Sequence, residues 1–118
     1  MNLDENPAQF GIFFSANRLN GVNFEWDERK NRANVHKHGL DFSDAWEVFD
    51  NPMLISFDNR EDYGEDRLIG IGLLRARIVV VVYAERVEGI IRIISLRKAL
   101  SYERKKYDRI IGNRLGAD

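Results

Sequence analysis

Hydrophobic and polar positions alternate through Val22-Asn23-Phe24-Glu25-Trp26, which predicts a short strand. Asp27 follows as a suitable N-cap for a helix reaching about His38, since its carboxylate can accept from a first-turn amide. Gly39 falls where a helix commonly ends in a left-handed residue, and a Schellman motif would then fold Leu40 back onto Val35. A second helix opens with Asp41 as its cap. Phe42, Ala45, Trp46 and Phe49 stand at i, i+3, i+4 and i+7, which predicts one apolar stripe. Asp50-Asn51-Pro52 ends it.

The pattern then changes to that of strands. Met53–Phe57, Arg67–Leu74, Ile78–Glu85 and Gly89–Leu96 read as four strands, separated by the polar segment Asp58–Asp66 and by the short segments Arg75-Ala76-Arg77 and Arg86-Val87-Glu88. Ile78 to Val82 is apolar at every position, so that strand should be central and covered on both faces. Such short connections favour antiparallel neighbours. Leu100, Tyr107, Ile110, Ile111 and Leu115 predict a last helix from about Ser101 to Arg114, with Glu103, Arg104, Lys105, Lys106 and Arg109 on its other face. Residues 1–21 hold no sustained period and read as an extension, with Phe10–Phe14 as its docking group, ahead of a domain over residues 22–118. The order of elements defines an α+β fold, a mainly antiparallel sheet with helices packed on it.

Composition adds three constraints. A chain of 118 residues has room for one core. It has no cysteine, which excludes disulfides and thiolate metal sites. No stretch approaches the ~18 apolar residues of a membrane span. The acidic Asp4 and Glu5 do not suit a signal peptide, so a cytoplasmic location is expected. Net charge is −1, but it is unevenly placed. Residues 1–74 carry 7 Lys/Arg against 14 Asp/Glu, and residues 75–118 carry 11 against 5. A basic half of this kind points to an anionic ligand or, more plainly, to solvated faces.

Few residues suggest chemistry. His36 and His38 end the first helix, where imidazole can shuttle protons near neutrality or simply cap the last carbonyls. Arg97 and Lys98 stand where the last strand meets the last helix, a place suited to a phosphate, and Arg97 is expected to emerge into solvent. Arg92 lies within the same strand, opposite in facing to Ile91, Ile93 and Ser95. Arg60, Arg67, Arg75 and Arg77 would join one patch if the sheet brings their ends together. Glu65 and Arg67 are two apart, so on an extended backbone they point the same way, as a proton acceptor with its partner or as a surface ion pair. No phosphate loop, zinc motif or nucleophile elbow is present, and no cofactor or metal site is expected.

From Phe24 to Tyr107 the chain resembles the BrnT toxin family. The resemblance runs through Phe24-Glu25-Trp26-Asp27, Asn34, Lys37-His38-Gly39, Phe42, Ala45, Val48-Phe49-Asp50 and Pro52. It continues in Gly64-Glu65, Arg67, Ile69-Gly70, Val81-Val82-Tyr83 and Glu85-Arg86, then in Arg92-Ile93-Ile94-Ser95, Arg97-Lys98-Ala99, Glu103 and Tyr107. The departures are residues 1–21, Leu96 where a small residue is common, and Arg75-Ala76-Arg77 in place of a Gly-Arg turn. The resemblance implies a RelE-like ribonuclease toxin, held by a ribbon-helix-helix antitoxin similar to BrnA, which binds operator DNA in the complex. The rival is a non-catalytic RNA- or protein-binding module. Metal-free RNA cleavage needs a proton acceptor, charge to stabilise the phosphorane and a proton donor. Arg67, Arg97 and Lys98 are the candidates for phosphate stabilisation, and Glu65, His38 and Tyr107 for proton transfer.

Overall fold

In the computed structural model, which describes residues 11–13 and 21–112, the elements in chain order are β1 (Gly11–Phe13), β2 (Asn23–Trp26), α1 (Glu28–His38), α2 (Trp46–Phe49), β3 (Met53–Phe57), β4 (Leu68–Leu74), β5 (Arg77–Val87), β6 (Ile90–Lys98) and α3 (Ser101–Tyr107). Asp27 caps α1 by accepting from the Lys30 amide at 3.1 Å. Gly39 ends it at φ 71°, its N–H bonding the Val35 carbonyl. That single bond defines the simpler left-handed cap and not a Schellman motif. Leu40 turns into the core, while Val35 stays exposed.

The second helix is shorter than its stripe predicts. Asp41 caps a 3-10 turn over Phe42–Asp44, and only then does α2 begin. A 3-10 turn advances three residues per turn, so the buried set becomes Phe42, Ala45, Val48 and Phe49, and Trp46 faces solvent. The last helix is also interrupted. After α3 comes a wider π-type turn, Asp108–Gly112, and Arg114 lies outside the described residues.

The sheet has six strands in the order β1-β3-β4-β5-β6-β2. Its four pairings from β1 through β6 are antiparallel, but β2 lies parallel to β6, so the sheet is mixed. The expected extension contributes to it: β1 pairs with Met53–Ile55 at the edge. Phe10 and Phe14 lie outside the described residues. As its sequence predicts, β5 is central and covered on both sides. Val79, Val81 and Tyr83 join one cluster with Phe42, Val48, Phe49, Ile91 and Ile93. Val80 joins another, on the opposite face, with Leu54, Ile71, Ala99, Tyr107 and Ile111 beneath α3. Helix α2 sits so close to β4 that a β-carbon at Gly72 would lie 2.8 Å from Val48 Cγ1.

A bulge in β6 sets which side chains share a face. Val82 pairs with Ser95 but Tyr83 with Ile93, leaving Ile94 as the extra residue. Ser95 therefore lies on the face of Arg92, not opposite it.

Leu74 pairs with Arg77 across a two-residue turn in which Arg75 has φ 50° and Ala76 φ 68°. Both central residues are left-handed, as the twist of a tight hairpin favours, although neither is glycine. Ala76→Gly should remove the steric cost of that conformation and raise stability by about 1 kcal/mol. The check is the urea midpoint at unchanged slope, and an unchanged or lowered midpoint would show that the turn carries no such strain.

Candidate active site

Strand register brings charged residues into one row across the open part of the α3-bearing face. The Asp58 amide donates to the Arg67 carbonyl at 2.8 Å, extending the β3–β4 ladder by one step. Leu68 pairs with Tyr83, so Arg67 falls beside Ala84, which pairs with Arg92, which pairs with Glu25. Ala84 is the small member of the row. Glu65 Oε2 joins its two arginines, accepting from Arg67 Nε at 3.3 Å and, in a short contact, from Arg92 Nη2. The Arg67 guanidinium also lies 4.0 Å from the centre of the Tyr63 ring, a cation–π contact that fixes its plane. Asp58 has a fully buried side chain, bound by Arg60 at 2.8 Å on both oxygens. The hydrogen bonds from Arg60 hold its carboxyl below the ordinary aspartate range, against the opposing effect of burial.

A second group lies five residues further along β6, roughly 16 Å from Arg92. Arg97 faces the same side and emerges only in part, with a third of its side chain exposed and its charged end held by a carboxylate. Its two terminal nitrogens reach the two oxygens of Glu103 at 2.8 and 2.9 Å. Glu103 Oε1 also accepts from the Leu100 amide at 2.7 Å, tying Arg97 to the start of α3. Glu103 and Lys106 are thus buried, where the helical pattern placed them on the solvent face. This pairing raises the guanidinium pKa of Arg97. Beside it, Lys37, His38, Arg97, Lys98 and Leu100 line a groove of about 500 Å3. Burial lowers the pKa of His38 below its ordinary value, and the charges of Lys37 and Arg97 add to the effect. The imidazole is consequently neutral at pH 7, with one nitrogen donor and one acceptor.

Of the residues expected to act together, Glu65 and Arg67 meet, and His38, Arg97 and Lys98 meet separately. Tyr107 joins neither group. It is buried against the sheet with its hydroxyl donating to the Pro52 carbonyl at 3.0 Å, and burial followed by Asp108 raises its pKa. The basic patch is likewise divided: Arg60 and Arg67 lie at one end of β4, whereas Arg75 at the other pairs with Asp44 at 3.2 Å and Glu47 at 3.5 Å. Tyr83 and Trp26 serve packing, Tyr83 edge-on to Phe49. Arg92 gains importance that its sequence only hinted at, as the one cation of the expected strand Gly89–Leu96. Among the described residues no cluster of three His, Cys, Asp or Glu is placed to hold a metal, and no helix is long and apolar enough to cross a membrane.

The model of the ribonuclease toxin family BrnT, of type II toxin–antitoxin systems, matches residues 26–103. The chain belongs to that family. It is similar to the ribonuclease toxin BrnT of Brucella abortus, known from a crystal structure at 1.1 Å resolution, with 30% sequence identity and a TM-score of 0.54. The match covers 68% of this chain and 99% of that one. Curated proteins gave no match.

The Arg97–Glu103 pair makes a stability prediction. Removing one partner strands a buried carboxylate; because Arg97 keeps a third of its side chain exposed, water offsets part of the loss. Arg97→Ala should cost about 1–2 kcal/mol, while Lys98→Ala, on an exposed side chain, should stay within about 0.5 kcal/mol. Denaturant unfolding of both variants decides this, and equal stability for the two would mean the pair holds nothing in place.

Proposed function

We propose that this chain is a metal-independent endoribonuclease whose reaction centre is Glu65 with Arg67 and Arg92. The observation that carries the reading is one carboxylate held between two part-exposed guanidiniums on the α3-bearing sheet face. RNA brings its own nucleophile. Glu65 takes the proton of a 2′-OH as that oxygen attacks the adjacent phosphorus, and Arg67 and Arg92 stabilise the charge on the phosphorane. The bond to the 5′-oxygen breaks, water supplies its proton, and a 2′,3′-cyclic phosphate remains. The guanidiniums provide the positive charge that a metal would otherwise supply. Arg97, Lys98 and neutral His38 hold phosphates of the same strand a few nucleotides away. Tyr107 has no part, its hydroxyl being engaged with Pro52.

Cleavage of cytoplasmic RNA then inhibits translation. A cognate antitoxin of the ribbon-helix-helix class covers the basic face and binds operator DNA in the complex. A sheet with α3 on one face and α1 and α2 toward the other supports placing the fold among RelE-like toxins.

Glu65→Gln and Arg67→Ala should each lower the cleavage rate of a labelled RNA on the order of 10²-fold, with melting curves showing both still folded. Wild-type cleavage should persist in EDTA. Full activity in Glu65→Gln, or activity lost in EDTA and restored by Mg²⁺, would overturn the mechanism. Folded wild-type protein that cuts no RNA would favour a binding module.

A further inference from the structure

A second groove borders Arg92, the arginine that bonds Glu65. Glu25, Ala84, Val87, Ile90 and Arg92 line about 290 Å3, at the lower end of ligand-sized pockets. Its walls are apolar apart from two groups. Arg92 is the register partner of Glu25, yet its guanidinium turns toward Glu65. Glu25 is exposed and makes no hydrogen bond or ion pair among the described residues. An unpaired carboxylate therefore stands over an apolar slot, one strand away from the proposed reaction centre.

We propose that this groove takes the base of the nucleotide whose 2′-OH reacts, and that Glu25 selects guanine. The inference rests on the ribonuclease reading of Glu65, Arg67 and Arg92. The flat base packs on Val87 and Ile90, which stand side by side as register partners, with Ala84 as the floor. Single-stranded bases are read on their Watson–Crick edges once unstacked, and an ionised carboxylate only accepts. Guanine offers it two adjacent donors, N1–H and the N2 amino group, which match its two oxygens. Adenine and cytosine set an acceptor nitrogen beside their single amino group, and uracil flanks its one N–H with carbonyls. Each of these faces the carboxylate with a lone pair. The sugar phosphate then reaches Arg92 and Arg67, so the same arginine borders both base and phosphate.

The test compares binding of 3′-GMP and 3′-AMP to the full chain by NMR titration. The wild type should favour 3′-GMP by at least about tenfold, with shifts at Glu25, Ala84, Ile90 and Arg92. Glu25→Gln, an exposed substitution, pairs one acceptor with one donor and suits adenine, so the preference should shrink to about threefold or less. Equal binding by the wild type, no binding, shifts centred elsewhere, or an undiminished preference in Glu25→Gln would each overturn the proposal. Because binding is read without cleavage, the two readings separate. A 3′-GMP preference at this groove in a protein that cuts no RNA would uphold base selection and sink the nuclease. RNA cleavage without the preference would do the reverse.

Discussion

Two buried asparagines hold α1 in place, and the groove beside Arg97 depends on where α1 lies. The helix buries no hydrophobic side chain; its buried residues are Asn31 and Asn34. Strand β2 pairs with β6 only as far as Ile93, so the edge of β6 beyond it has no neighbouring strand. Asn34 supplies one. Its amide donates to the Leu96 carbonyl at 2.8 Å and accepts from the Leu96 amide at 3.2 Å, as a strand backbone would. The same NH2 group reaches the Leu40 carbonyl at 2.9 Å. Asn31 bonds the Phe42 amide at 2.9 Å and Asp41 at 3.0 Å, fixing the turn into α2. Each buried backbone group left unsatisfied would cost about 1–3 kcal/mol, comparable to burying a core side chain. This clamp sets Lys37 and His38 beside Arg97.

On the α3-bearing face of β6, small local features decide which charges meet. The bulge at Ile94 keeps Arg92, Ser95 and Arg97 on one side. Without it, Arg92 and Arg97, five residues apart, would point to opposite faces. The two arginines of β6 end in different states. Arg97 is committed to Glu103, with the start of α3 behind it. Arg92 meets Glu65 on one side and an open groove on the other. A polyanion approaching this face meets Arg92 and Arg67 sharing one carboxylate, Glu65, and Arg97 braced by another, Glu103.

Most of the fold was legible because it rests on local signals. Asp27 and Gly39 mark the ends of α1, and the unbroken apolar run from Ile78 to Val82 marks the central strand. The parallel pairing of β2 was not legible, since four alternating residues carry no information about their partner's direction. Trp46 misled because the helix starts with a 3-10 turn, which shifts the phase of the stripe. The Glu65–Arg67 pair was readable from its spacing of two. Its link to Arg92 was not, because it depends on register across three strands. Glu103 and Lys106 read as solvent-facing through their charge alone, yet Glu103 is the partner that holds Arg97. Tyr107 fitted both a core stripe and a catalytic list, and only its bond to Pro52 separates the two.

The account centres on a 2′-OH attack assisted by Glu65, Arg67 and Arg92, and the ends of the RNA products test it most directly. Mass spectrometry of a defined oligonucleotide cut by the purified chain should find 2′,3′-cyclic phosphate on one fragment and 5′-OH on the other. An otherwise identical strand with a single 2′-deoxy nucleotide at the cut position should stay intact there. Products ending in 5′-phosphate and 3′-OH, or cleavage undiminished at the 2′-deoxy position, would mean that water is the nucleophile and would contradict the mechanism.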